Sequence, residues 1–227
     1  MKIAIFGTGI VGQTIGKKLA ELGNEVMIGT RDVSKTLART EKDVYGNPPF
    51  SHWLRQNPKI KSGSFTEAAA HGEIIINATA GSASITALQA CDKKNLKEKI
   101  LIDISNPLDF SKGMPPSLTI CNTDSLGEQI QWTFPELKVV KTLNTMNAYL
   151  MVNPTQLAKG DHDVFVSGND ATAKIKVTEL LKKWFGWKEV IDLGDITTAR
   201  GTEMILPIWV RLWGVLQTPM FNFKIVK

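Results

Sequence analysis

Lys2-Ile-Ala-Ile-Phe6 is followed at once by Gly7-Thr-Gly9-Ile-Val-Gly12, and the fold class follows from these eleven residues. Ile3 to Phe6 is a short apolar run, and beyond the glycine-rich turn Ile10, Val11, Ile15, Leu19 and Leu22 recur at helical spacing. Gly23-Asn24 stops that helix, and Glu25-Val-Met-Ile-Gly29 supplies a second strand, parallel to the first because a helical crossover joins them. The chain up to Thr30 is thus predicted to be a βαβ unit.

The same alternation continues outward. Asp32 to Thr40 is predicted to be helical, and Tyr45 to Gly63, with Gly46-Asn47-Pro48-Pro49 and Pro58, reads as an irregular excursion. Thr66 to His71 reads as a short helix, and Glu73 to Thr79 as an apolar, β-branched strand of the kind buried in parallel sheets. Ile85 to Ala90 is read as helix, Lys99 to Ile104 as strand, Leu126 to Thr133 as helix and Val139 to Leu143 as strand. Asp163 to Ser167, Ala171 to Phe185 and Glu189 to Asp192 read as strand, helix and strand. This pitch predicts a Rossmann-type, doubly wound α/β fold with a mostly parallel sheet and a small C-terminal helical extension. The expected division is a nucleotide-binding domain over 1–150 and a smaller α/β part with a terminal helix over 151–227.

Composition bounds the function. The 227 residues are 43% hydrophobic and 22% charged, which is globular rather than disordered, and they suffice for one domain of about 150 residues plus a small annex. Phe6 runs directly into the glycine turn, leaving no room for a signal peptide's apolar stretch, so a cytoplasmic protein is expected. Cys91 and Cys121 are too few and too isolated for a disulfide framework or a zinc site. The net charge of +5 comes from lysines scattered through amphipathic segments without interleaved aromatics, which argues against nucleic acid and suits a phosphate-rich small ligand. From Glu203 to Leu216 apolar residues lie all round a helix. Glu203 and Arg211 break it short of the ~18 residues of a membrane span. It reads as a buried or subunit-interface helix, and a homodimer is expected.

Gly7, Gly9 and Gly12 form G-x-G-x-x-G. Between a strand and a helix of a βαβ unit, this is the dinucleotide fingerprint: tight turn, room for a pyrophosphate, close helix packing. Thr8, Ile10 and Val11 complete the loop, and unpaired helix N–H groups face the anion. A phosphate-binding P-loop frame also fits Gly7 to Thr14, but Gln13 stands where that loop requires Lys. At the end of the second strand, where an NAD enzyme places an acid for the ribose 2′-OH, this chain has Thr30 and Arg31. The Arg31 guanidinium can bind a 2′-phosphate and stack on adenine, with Thr30 and Lys35 adding a hydroxyl and a charge, while Asp32 reads as a helix N-terminal residue. NADP is favoured over NAD.

Other strand ends should line the same crevice. They nominate Ala78-Thr79-Ala80-Gly81-Ser82, Ser105-Asn106-Pro107 and Leu143-Asn144-Thr145-Met146-Asn147. There is no G-x-S-x-G and no H-E-x-x-H, and His52, His71 and His162 read as surface residues rather than general acids. No catalytic side chain or metal ligand is assigned. A hydride passing into a delocalised ring needs little acid catalysis from protein.

These residues resemble the NADPH-dependent reductases of the deazaflavin coenzyme F420 and small dinucleotide-binding proteins similar to them. The likeness lies in Gly7 to Gly12, Gly29-Thr-Arg31 to Lys35, Ile102 to Pro107, Val139 to Thr145 and Asp163 to Gly168. It implies NADP(H) as cofactor, a Rossmann domain whose small C-terminal part helps form a dimer, and a flat hydride acceptor, deazaflavin or flavin, stacked on the nicotinamide near Asn144 to Asn147. The Tyr45 to Gly63 stretch and the tail with Trp209, Trp213 and then Pro219-Met-Phe-Asn-Phe223 depart from those reductases and resemble uncharacterised bacterial relatives. Membrane metalloreductases with a similar cytoplasmic domain keep flavin open as acceptor. Two alternatives stand beside this reading. One is an imine reductase resembling pyrroline-5-carboxylate reductase, which, like the hydroxyacid dehydrogenases, builds its site with a helical domain on the order of 100 residues. The other is a non-catalytic NADP-binding sensor.

Overall fold

The apolar runs form the centre of an eight-stranded sheet in a computed structural model that describes residues 1–43 and 46–227. Its strands are β1 (Lys2–Phe6), β2 (Glu25–Thr30), β3 (Lys61–Ser64), β4 (Ile74–Asn77), β5 (Ile100–Asp103), β8 (Lys138–Thr142), β9 (Asp163–Ser167) and β10 (Glu189–Gly194). The short β6 (Leu108–Asp109) and β7 (Ser117–Leu118) pair separately as a small antiparallel ribbon. Across the large sheet the order is β10, β9, β8, β5, β4, β1, β2, β3. Pairing is parallel from β3 through to β8; β9 then runs antiparallel to β8, and β10 parallel to β9.

The chain leaves β1 toward β2 and β3 and returns on β1's other side as β4, so the strand order reverses between β1 and β4. In such sheets the ligand crevice opens at that reversal, beyond the carboxyl ends of the strands. Between and after the strands come helices α1 (Ile10–Glu21), α2 (Val33–Ala38), α3 (Phe50–Gln56), α4 (Phe65–His71), α5 (Gly81–Gln89), α6 (Leu126–Thr133), α7 (Ala148–Val152) and α8 (Ala171–Leu180). One core gathers Ile3, Ile5, Ile15, Leu19, Ile28 and Val140; the other gathers Ala4, Phe6, Ile75, Leu101 and Val139. Successive residues of each strand feed opposite faces, which is why the parallel strands read as continuous apolar runs.

Several expectations need correction. The stretch from Tyr45 to Gly63 is not irregular throughout: it holds α3 and the start of β3, and Tyr45 itself lies outside the described residues. Phe50 and Ile60 anchor it in the core, while β3, reading Lys-Ser-Gly-Ser, is a polar edge strand with no apolar alternation to reveal it. Helix α5 begins at Gly81 rather than Ile85, and α8 runs on into a π-helical turn from Leu181 to Phe185. The terminal helix is two, α9 (Ala199–Met204) and α10 (Leu206–Leu216), with Pro207 in the first turn of the second. His162 is buried, not on the surface: its Nε2 lies 2.9 Å from the Pro154 carbonyl, and Asn222 Nδ2 approaches Nδ1 at 2.8 Å.

Candidate active site

The three glycines of the first loop meet different demands. Gly7 has φ +113°, and a Cβ there would lie 2.4 Å from the Ala78 carbonyl oxygen. At Gly12 a Cβ would lie 2.2 Å from the Gly7 oxygen, inside the contact of α1 with the loop. Gly9, by contrast, has ordinary extended backbone (φ −75°, ψ 179°), and a Cβ there would meet nothing within 4 Å. The fold requires the first and third glycines but not the second, whose missing side chain leaves open space at the mouth of the crevice.

Gly9 is also the N-cap of α1, which has no side-chain cap, and its carbonyl accepts from the Gln13 N–H at 3.0 Å. The Gly7 amide donates to the Gly29 carbonyl at 3.1 Å, and the first amides of α1 are left for another acceptor. Helix α5, opening at Ala80 across the crevice, likewise lacks a side-chain cap. Helices α2, α4, α6 and α8 are capped by Asp32, Ser64, Ser125 and Asp170.

Two clefts flank the loop. One, of about 550 Å³, lies on the β2 side, beside α2 and the start of α3, and is lined by Thr8, Gly9 and Ile10 together with Gln13, Thr36, Arg39 and Phe50, but not by Thr30, Arg31 or Lys35. The other, of about 270 Å³, lies toward β4 and β5 and is lined by Val11, Ala78, Thr79, Ala80 and Asn106 together with Phe110. A dinucleotide spanning Gly9 would place one half in each. Gly7 and Gly12 form the loop's frame, and Thr30 is buried, its hydroxyl 2.8 Å from that of Thr36. Arg31 is exposed at the end of β2, and Lys35 is exposed with its ammonium 3.6 Å from Asp32, which caps α2 through the Lys35 amide. Pro107 is buried, between the cleft residues Asn106 and Leu108, and does not itself line the second cleft. Asn144 is buried too, donating to Asn106 Oδ1 at 3.0 Å while its carbonyl accepts from Asn106 Nδ2 at 2.9 Å.

Below the second cleft lies a polar network absent from the sequence reading. Asn77 Nδ2 donates to Asp103 Oδ1 (2.8 Å) and Ser84 Oγ (3.0 Å), and Thr79 Oγ1 donates to Asn77 Oδ1 (2.7 Å). Lys141 donates to Asp103 Oδ2 (2.8 Å) and the Ser105 carbonyl (2.5 Å), and pairs with Glu203 Oε1 at 2.8 Å. Glu203 in turn accepts the first amides of α6, from Leu126 and Gly127 (2.8 and 3.0 Å). Burial pulls the Lys141 ammonium toward neutrality, but the carboxylates of Asp103 and Glu203 outweigh it and hold its pKa above the ordinary value. A signal was present: Lys141 and Asp103 are charges inside otherwise apolar strands, which a buried sheet tolerates only in pairs. Gln13, Thr36, Arg39 and Phe110 were missed as well, and for these only the folded arrangement shows that they face the clefts.

Comparison with known proteins bears on what fills these clefts. Residues 2–107 match the family described as NADP oxidoreductase, coenzyme F420-dependent. A crystal structure of a protein from Arthrobacter sp. FB24, provisionally described as an F420-dependent NADP-reductase, is 62% identical, with full coverage of both chains and a TM-score of 0.95. The chain belongs to this family of oxidoreductases. The F420-dependent NADP reductase of Methanothermobacter marburgensis is 29% identical over 93% of this chain and 92% of that one. An imine reductase from Myxococcus stipitatus in complex with NADP+ is 16% identical, with a TM-score of 0.64 over 96% of this chain and 64% of that one, a likeness of fold alone.

Proposed function

We propose that this chain transfers hydride between NADPH and a flat deazaflavin or flavin acceptor. The observation that carries the reading is the open space at Gly9 between two framework glycines, at an uncapped helix end. It fits a pyrophosphate, which needs close backbone approach and N–H donors. In this reading Gly7, Thr8, Gly9, Ile10, Val11 and Gly12 cradle the pyrophosphate. Arg31, with Thr30, Lys35 and the cleft residue Arg39, takes the 2′-phosphate. Ala78, Thr79, Ala80, Asn106, Pro107 and Asn144 build the wall of the nicotinamide half.

When bound, NADPH supplies the hydride. The protein's residues orient that exchange and exclude water from it. Every residue lining the second cleft is uncharged, from Val11 and Thr79 to Asn106 and Phe110. That lining suits a ring that delocalises the incoming electron pair better than an imine, which needs a proton donor beside it.

The reading also divides the chain into a nucleotide-binding part over 1–150 and a smaller part over 151–227, and it takes the working unit to be a cytoplasmic homodimer. No helix among the described residues is long and apolar enough to cross a membrane. Helix α10 leaves Ile208, Val215 and Leu216 half or more exposed, an apolar face suited to a second copy.

Titration with NADPH and NADH tests the first half of the proposal. Wild-type protein should prefer NADPH, and Arg31→Ala should erase most of that preference. Equal binding of the two nucleotides, or an unchanged ratio in the variant, sinks the 2′-phosphate assignment. Steady-state oxidation of NADPH with F420, FMN, a quinone and a cyclic imine tests the second half. Turnover with the imine alone would move the reading to an imine reductase, and turnover with none, despite tight NADPH binding, to a sensor.

A further inference from the structure

Strand register exposes an abrupt change of chemistry across the middle of the sheet. Ala4, Ile75, Leu101 and Val139 pair in one row across β1, β4, β5 and β8, and all are buried. Two residues on, the next row of the same face reads Phe6, Asn77, Asp103, Lys141 and then Ser167 on β9. The polar members of that row are at most 1% exposed. A sheet selected for stability alone would repeat the apolar row, because a buried ion pair rarely outperforms hydrophobic residues of similar volume. The polar row must hold something that apolar residues cannot.

What it holds lies immediately above it. Lys141 grips the Ser105 carbonyl, and Asp103 Oδ1 accepts from the Ser105 amide (3.2 Å) and hydroxyl (2.7 Å). The Ser105–Pro107 turn is thus fixed from below by charge-assisted bonds. At its far side Asn106 is locked to Asn144 by reciprocal hydrogen bonds, where β8 leaves the sheet through Leu143 in the left-handed region (φ 60°). Its carbonyl also lies against the start of α5: a Cβ at Gly81 would come within 2.1 Å of the Asn106 oxygen. Through Asn77 the same row orients Thr79. Both turns wall the second cleft.

We infer that Lys141 is a positioning residue, which through Asp103 and the Ser105 carbonyl sets the two turns that orient the nicotinamide half of the dinucleotide. It makes no contact with the cleft itself, being fully buried. Its remaining partner, Glu203, bonds no residue of the wall; it accepts the first α6 amides and ties α9 to the sheet. The same ion cluster therefore contains a member that reaches the wall and a member that does not.

The inference rests on the nucleotide reading above, and the test separates the two. Affinities are measured by calorimetry for NADPH, which fills both clefts, and for 2′,5′-ADP, which fills only the β2 side. Lys141→Met should weaken NADPH about tenfold or more while 2′,5′-ADP stays within about twofold, and the emission of bound reduced nicotinamide should shift. Glu203→Gln, which disturbs the same cluster, should leave the ratio of the two affinities as in the wild type. Equal loss of both ligands in Lys141→Met, or the same change of ratio in both variants, makes Lys141 a merely structural residue and overturns the inference. If Lys141→Met does not accumulate as folded protein, Lys141→Gln carries the same comparison. Wild-type protein that bound neither ligand would sink the nucleotide reading and this inference with it. An unmoved ratio with both ligands binding would sink this inference alone.

Discussion

Substituting Gly9 by alanine separates what the loop does for the fold from what it does for a ligand. The new Cβ meets no atom within 4 Å, and φ −75° with ψ 179° is open to any residue. The apo protein should gain about 0.4–1 kcal/mol from a less flexible unfolded chain, a rise of about 1–4 °C in melting temperature for a domain of this size. Binding should change in the opposite direction. The methyl group fills space the pyrophosphate requires and disrupts a charge-assisted amide contact worth about 1.5–3 kcal/mol, weakening NADPH about 10–150-fold. At a concentration about 100 times the wild-type Kd, NADPH adds roughly 2.7 kcal/mol and lifts the wild-type melting temperature by about 5–11 °C. With affinity about 100-fold lower, the same concentration adds only about 0.4 kcal/mol, a rise of about 1–2 °C. Gly12→Ala is the opposite control: its Cβ would sit 2.2 Å from a backbone oxygen, so the apo protein itself should lose about 1–3 kcal/mol or more. Differential scanning fluorimetry with and without NADPH reads all three proteins. A Gly9→Ala protein with the wild-type ligand shift would refute the placement of the pyrophosphate, and one with a much lower apo melting temperature would refute the claim of open space.

The thiols should differ sharply in reactivity. Burial, reinforced by the neighbouring Asp92 charge, pushes Cys91 up to about 12, whereas Cys121 is exposed. A disulfide reagent such as DTNB at neutral pH should titrate one thiol in the native protein and two in denaturant, and two fast thiols in the native protein would contradict the structure. The Lys141 pKa is raised above its ordinary 10.5, so its ion pairs stabilise the fold fully below that pH and lose their contribution as pH rises through the folded-state value. Lys141→Met should cost about 3–5 kcal/mol by leaving buried carboxylates unpaired. That deficit, followed by urea unfolding from pH 8 upward, should narrow beyond pH 10.5. A gap that stays constant there would mean that Lys141 is not charged in the fold. Ile208→Glu, on the exposed face of α10, should convert a homodimer to a folded monomer in light scattering, and a wild-type protein that is already monomeric defeats the dimer proposal.

What was legible in the sequence was what is local. The first strand, turn and helix announce themselves because a buried parallel strand, three spaced glycines and an amphipathic helix are each short-range patterns. Asp32 shows the same: read as a helix N-terminal residue, it is the cap of α2. Edge strand β3 escaped because Lys-Ser-Gly-Ser is held by the ladder to β2 rather than by burial of apolar side chains. His162 was misread because its partner Asn222 lies far along the chain, in a tail that docks on β9 through Phe223 and Ile225. The ion cluster escaped for a related reason. Asp103, Lys141 and Glu203 meet only once two strands pair in register and a terminal helix packs over them.

The C-terminal part explains how so short an addition could complete an acceptor site. Asn147, nominated from sequence as lying beside the acceptor, is occupied elsewhere: its side-chain Oδ1 caps α7 by accepting from the amides of Tyr149 and Leu150, and its Nδ2 donates to the Pro219 carbonyl. The tail is thereby drawn over α7, and Phe221 stacks on Trp209 of α10 with ring centroids 5.2 Å apart. In the proposed reading a flat acceptor approaches from the side where Phe110, half-exposed beside the β6–β7 ribbon, lines the neutral cleft. Lys141 stiffens the wall on the nucleotide side of that cleft, and Glu203 carries the same stiffness into α9, the helix that leads directly into α10. The element that would meet a second subunit is therefore joined to the nicotinamide wall by one buried cluster. The cluster thus divides its work, with Lys141 and Asp103 setting the turns of the nicotinamide wall and Glu203 holding α9 to the sheet, which gives a parallel sheet a physical reason to bury two carboxylates around one lysine.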